Sequence, residues 1–225
     1  ITAVICLSCL IFLGAHNSRA ESYTPKSKNH ANAHHVPAIV KQVIKSFDNP
    51  EGAIFSADGK FVFISNSAEI GDRGAGFSLT ENEGYISKLS VNEDGTLTMV
   101  EEKLITNISA PLGMGVIPIS TGKFPAGTIF ACVGAVPMVD QDGQTITDRN
   151  RMKSKLLAFD INGNILGEID TGAGSIFEEI TGSPIALINA LGFDGQGNLF
   201  VADTAFGQAQ FDPPWDGAGA LWKIS

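Results

Sequence analysis

The sequence predicts an all-β chain, an incomplete β-propeller of four-stranded antiparallel blades, with about three blades of an expected six. Three observations carry this: short apolar runs separated by Asp-Gly, Asn-Gly and Gly-Gln-Gly turns; the same order of runs recurring along the chain; and 25 glycines with 10 prolines against 17% charged residues. Amphipathic surface helices need Glu, Lys and Arg on their wet face, whereas hairpins need turn residues with φ > 0.

The first unit opens with Glu51-Gly-Ala-Ile-Phe-Ser-Ala57, turns at Asp58-Gly59 and returns through Lys60-Phe-Val-Phe-Ile-Ser-Asn66. A third strand spans Gly84 to Val91, a turn follows at Glu93-Asp-Gly95, and a fourth strand covers Thr96 to Leu104. The second unit repeats that order: Pro111 to Pro118, Gly127 to Val133, Lys155 to Ile161, the turn Asn162-Gly163, then Asn164 to Asp170. A third begins at Asn189 to Asp194, turns through Gly195-Gln-Gly197, and continues at Asn198 to Asp203 and Gly219 to Ser225. Units that resemble each other and pack only on their neighbours are the sequence form of blades around a channel. A sandwich would not require the resemblance. Three blades do not close a ring, so the chain is read as a fragment of a longer product.

Residues 1–20 read as a signal peptide. An apolar run from Ile1 to Gly14 precedes the small-residue cleavage site Ser18-Arg19-Ala20, and its basic n-region would lie upstream of Ile1. The run is shorter than the ~20 residues a membrane span needs, so no stable span is expected after cleavage, and the localisation expected is secreted or periplasmic. Residues 21–38 are polar and aperiodic, a linker holding His30, His34 and His35; residues 39–225 form the partial propeller. A net charge of −9 without a Lys/Arg cluster excludes nucleic acid as a partner and leaves a small-molecule substrate or an extracellular ligand. After cleavage Cys132 is the only cysteine, so no intramolecular disulfide forms; its apolar run Thr128 to Gly134 marks a buried structural thiol.

The turn Asp58-Gly-Lys60 matches Gln196-Gly-Asn198. Counting back eight positions from Gly59 and from Gly197 sets Glu51 opposite Asn189, with Leu112 at the corresponding place in the middle unit. Equivalent positions at the start of innermost strands converge on a propeller's axis, and oxygen donors there suit a hard divalent cation such as Ca²⁺. The alternative is that Glu51 and Asn189 are strand-entry residues with ordinary hydrogen bonds. The acidic segment Asp140 to Asp148 lacks the ligand order of an EF-hand and reads as a solvated loop, in which Arg149 and Arg151 could grip an acidic ligand.

The segments Asn49 to Lys60 and Asn189 to Thr204 resemble blades of the regucalcin/gluconolactonase family, the senescence marker proteins, and of their NHL-repeat relatives, over roughly residues 48–225. The resemblance implies a six-bladed ring whose hydrolytic members hold a divalent metal through a Glu, an Asn and an Asp. Glu51 then matches the first ligand and Asn189 the Asn, while the Asp would belong to a blade beyond Ser225. In that family the Asn blade comes third after the Glu blade, whereas here one unit separates them, and the Arg-x-Asn-Asp substrate segment has no match. Ser56 to Asn66 with Gly84 to Leu97 is similar also to the seven-bladed lactonases, so six and seven blades both stand. The activity implied is metal-dependent hydrolysis of a lactone or related ester. The alternative is a non-catalytic propeller scaffold that binds a protein, peptide or carbohydrate through loops such as 71–83 and 139–154.

Overall fold

The computed structural model describes residues 40–68, 79–134, 138–148, 150–151, 153–182, 184–185, 187–204 and 219–225. The expected signal peptide, the linker with its histidines, Arg149 and most of the 71–83 loop lie outside the described residues. The chain divides into two compact units, Ile1–Lys41 and Gln42–Ser225, and the second holds all the strands and the helix among the described residues.

Three antiparallel sheets follow one another along the chain, in the order the repeats predict. The first contains β1 (Pro50–Phe55), β2 (Phe61–Asn66), β4 (Gly84–Val91) and β5 (Leu97–Ile108) in that spatial order. The second contains β6 (Pro111–Val116), β7 (Ile129–Val133), β9 (Lys155–Phe159) and β10 (Ile165–Asp170), and the third β11 (Ile188–Phe193), β12 (Leu199–Asp203) and β13 (Ala220–Ile224). Each is a meander whose first strand lies innermost, and β6 packs against both β1 and β11. The molecule is therefore an incomplete β-propeller with three blades described.

The turns form where the sequence places Gly after Asp or Asn. In Asp160-Ile-Asn-Gly-Asn164 and Asp194-Gly-Gln-Gly-Asn198 the first Asp accepts from two following backbone N–H groups and from the Asn side chain at its fourth position. Gly163 and Gly197 then take φ of 81° and 82°, which costs a residue without a Cβ almost nothing.

The unbroken apolar run in β7 has a packing cause. Ile129, Ala131 and Val133 point into a cluster with Phe63, Ile86, Leu157 and Phe159, between the first and second blades. Phe130 and Cys132 point the other way, with Leu156, Leu187, Leu199 and Val201, between the second and third. A middle blade has no wet face, so both residue sets of its period-2 strands must be apolar. Phe63 and Phe159 meet edge to face across the first seam at 5.9 Å. Polar latches cross the same seam: the Ser65 and Ser67 hydroxyls donate to the carbonyls of Leu112 (2.7 Å) and Pro111 (3.0 Å). Lys88, 8% exposed, donates to the Ile161 carbonyl at 2.7 Å while its ammonium lies 4.1 Å from the Phe61 ring centre.

Three features depart from expectation. β5 runs to Ile108 rather than Leu104, because register shifts against β4 absorb extra residues and let the strand continue to the end of the sheet. A two-residue parallel pair joins β3 (Leu79–Thr80) to β8 (Met138–Val139), too short to leave a period. A one-turn helix, α1 (Ile176–Thr181), sits between blades; the Ser175 hydroxyl caps its start by accepting from Glu178 N, and Gly182 closes it at φ 77°.

Candidate functional site

The starts of β1, β6 and β11 carry the same irregularity. Register passes from Pro50↔Asn66 to Gly52↔Ser65, leaving Glu51 as an extra residue; from Ile188↔Asp203 to Ala190↔Ala202, leaving Asn189; and from Pro111↔Val133 to Met114↔Ala131, where Leu112 and Gly113 face one residue of β7. A bulge unpairs a residue and re-aims its side chain, and bulges gather at functional sites. The inner strands touch at these points. A Cβ added at Gly52 would stand 3.0 Å from the Leu112 carbonyl oxygen, and one at Gly113 would stand 2.7 Å from the Asn189 carbonyl oxygen. Glu51, Leu112 and Asn189 thus occupy matched positions at one end of three adjacent inner strands; the turn-to-turn count pairs the first with the last.

Their surroundings differ. Glu51 is half-buried, and burial pushes its carboxyl above the usual range, with the Asn49 amide pulling it partly back. Asn49 holds φ 52°, a left-handed conformation Asn tolerates, and its buried Nδ2 makes no well-formed hydrogen bond among the described residues. Asn189 is exposed and donates from Nδ2 to Thr204 Oγ1 at 3.0 Å. That bond orients the amide and leaves Oδ1 without a hydrogen bond among the described residues. Leu112 is buried beside Leu187 above Gly134 and offers no donor atom. Two of the three matched positions therefore present hard oxygen atoms, one anionic and one neutral, a donor set that fits Ca²⁺ in kind but is short of its six to eight ligands. Among the described residues no three His, Cys, Asp or Glu side chains gather in one place.

Thr204 was not legible as a partner of Asn189: it lies 15 residues on and comes alongside only because β12 returns antiparallel to β11. Asn49 had a weak signal, an Asn two residues before a strand-entry carboxylate.

The other singled-out residues take structural roles. Cys132 is fully buried, and desolvation pushes its thiol far above its ordinary value. The Asp140 to Asp148 loop is largely exposed, with Asp140 Oδ1 accepting from Asp142 N and Gln144 N in an ordinary Asx turn. Arg151 is committed to Glu81 at 2.5 Å.

No protein-family model and no curated protein matches the chain. Among solved structures it is similar to a luciferin-regenerating enzyme, at 16% identity and a TM-score of 0.39 over 77% of this chain and 41% of that one. It is similar also to a putative oxidoreductase described as a glucose dehydrogenase, from Thermus thermophilus, at 13% identity and a TM-score of 0.38 over 75% of this chain and 41% of that one. The chain spans about two fifths of the length of either, and such distant likenesses say nothing of activity. Among the described residues no helix is long and apolar enough to cross a membrane.

Proposed function

We propose that the chain belongs to an exported β-propeller that binds a divalent cation, Ca²⁺ first among them, through Glu51 and Asn189, and that hydrolyses a lactone or related ester. The observation that carries the reading is the matched bulge: two inner strands place an oxygen-bearing side chain at one position of a repeating architecture. Partial burial of Glu51 supports it, because a carboxylate that has lost some water gains more from an adjacent cation than an exposed one does. So does the Thr204 bond, which holds the Asn189 amide by its nitrogen and leaves its oxygen available as a donor to a cation. A bound cation would polarise the ester carbonyl as a Lewis acid; Glu51 would contribute charge and Asn189 orientation.

Calorimetric titration of the chain with Ca²⁺ tests this. Glu51→Gln is expected to weaken binding by at least about tenfold, which is ~1.4 kcal/mol. Protons compete for the Glu51 carboxyl, which burial raises above its ordinary value, so affinity should fall as the pH drops through the pKa of that group. Unaltered Ca²⁺ binding by the Gln variant would remove Glu51 from the site. Export is tested by expressing the chain behind an initiator methionine and sequencing the mature N-terminus, which should begin at Glu21; retention of residues 1–20 would contradict it.

One observation favours the second reading, a non-catalytic scaffold. Leu112, buried at the middle matched position, interrupts the run of donors. If Ca²⁺ binds but lactone hydrolysis followed by pH-stat is no faster than in buffer, the scaffold reading replaces the enzyme.

A further inference from the structure

A cleft of about 300 Å³ opens between the first and second blades, at the ends of the sheets where Glu51 lies but out at the later strands. Its volume lies at the lower edge of what small-molecule sites occupy. The floor is apolar: Ile108, Val133 and Met138, all buried. The walls are charged, and most of the charge is already matched. Arg151 pairs with Glu81 at 2.5 Å and Lys155 with Glu168 at 2.8 Å. One cation and one anion remain. Lys153 makes no hydrogen bond or ion pair with any described residue, and Asp170 is engaged only by the Gly172 backbone N–H at 3.1 Å.

These two groups sit on paired segments. Asp170 lies directly opposite Lys155, and a Cβ added at Gly172 would stand 2.9 Å from Lys153 Cα, so Lys153 and Asp170 are diagonal neighbours. Diagonal neighbours on paired strands are about 7–8 Å apart at Cα. The two side chains make no ion pair across that gap, and a small molecule carrying both signs can bridge it.

The remaining wall supplies neutral hydrogen-bonding groups. Asn107 and Asn150 line the cleft, and neither side chain makes a hydrogen bond among the described residues. Asn82 and Asn107 hold φ of 61° and 57°, and the Ser109 hydroxyl, in bonding Asn82 N and Oδ1, fixes the first of them.

We propose that this cleft binds a zwitterionic α-amino acid with an apolar side chain: the carboxylate toward Lys153, the ammonium toward Asp170, and the side chain on the Ile108, Val133 and Met138 floor. One free charge of each sign selects a zwitterion over a simple anion, and the floor selects an aliphatic side chain over a polar one. The proposal stands apart from the cation reading at Glu51.

The test is calorimetric titration of the whole chain, in EDTA, with L-leucine, N-acetyl-L-leucine (no ammonium) and L-leucinamide (no carboxylate). Leucine should bind, and each blocked analogue should bind at least about tenfold more weakly, the loss expected for one charge-assisted contact. Lys153→Ala should weaken leucine to the level of leucinamide without altering leucinamide itself, and Asp170→Asn should do the same with respect to N-acetyl-leucine. Lys223→Ala, on β13, and Glu51→Gln should leave leucine binding unchanged. Circular dichroism matching the parent confirms that each variant is folded. Equal affinity for the three probes, no heat at any leucine concentration its solubility allows, or a loss caused by Glu51→Gln rather than Lys153→Ala would overturn the proposal. A failure here leaves Ca²⁺ binding intact, so the two proposals fail separately.

Discussion

Gly113 on β6 is the most discriminating place to disturb the ring. Its φ is not in the left-handed region, so alanine fits its backbone; by itself the change should stabilise by about 0.4–1 kcal/mol through the unfolded chain. Packing acts in the opposite direction. The new methyl would stand 2.7 Å from the Asn189 carbonyl oxygen and 2.8 Å from Ala190 Cα, and both are backbone atoms with no rotamer to give way. The two inner strands would have to separate by several tenths of an ångström, and overpacking of this kind costs about 1–3 kcal/mol. The net expectation is a loss of about 1–2 kcal/mol. The matched control is Gly192→Ala on β11, where the added methyl meets nothing within 4 Å and the backbone is equally permissive; it should be neutral or slightly stabilising. Urea unfolding reads both, as a shift of midpoint at constant slope. If Gly113→Ala is as stable as Gly192→Ala, β6 and β11 do not touch, and the propeller arrangement of the blades is wrong.

The seams and turns yield two more expectations. Lys88→Ala removes a charge-assisted hydrogen bond and a ring contact across the first seam; with desolvation of the ammonium offsetting part, it should cost about 2 kcal/mol in urea unfolding, and a change under ~0.5 kcal/mol would mean the latch is unimportant. Hydrogen bonds from Asn198 hold the Asp194 carboxyl below the usual carboxylate range; at Asp160 desolvation is the largest single effect and raises the carboxyl, but the hydrogen bonds from Asn164 and Asn162 together outweigh it and lower it. Carboxyls depressed in the folded state stabilise it above their unfolded pKa, near ~4, and lose that effect as the pH falls through the folded value. An Asp160→Asn, Asp194→Asn double variant should therefore be less stable than the parent at neutral pH, and the gap should close as the pH falls through the lowered folded-state values. A stability gap that stays constant with pH would assign the effect to the turn geometry and not to the charge.

The strands were legible because their turns carry Gly at the one position with positive φ, and because in the first and third blades the first turn falls at the same offset from strand entry. The count that pairs Glu51 with Asn189 works for the same reason: each of these two bulges lies eight residues upstream of its turn glycine, whereas Leu112 lies fifteen before Gly127. What stayed hidden was non-local. Ser65, Ser67 and Lys88 read as strand residues, and only the neighbouring blade reveals that they bond across a seam. The cleft between the first and second blades joins Asn82 and Lys153, from separate connections, to Asn107 near the end of β5, so no local pattern marks it. The helix Ile176–Thr181 had a signal in Ser175-x-x-Glu178 with Gly182 behind it, but none of its residues is buried, so no apolar period accompanied the caps.

Both the propeller and its candidate cation site require matched inner-strand positions to lie side by side around one axis. Spin labels at Glu51→Cys and Asn189→Cys, with Cys6 and Cys9 replaced by serine and buried Cys132 left in place, measure this directly by pulsed electron paramagnetic resonance. With β6 between them and packed sheets about 10 Å apart, the two backbones should lie within about 20 Å, giving one narrow short distance after allowance for the label arms. A distance beyond ~35 Å, as for residues on opposite sides of a two-layer sandwich, would contradict the propeller and the shared site together.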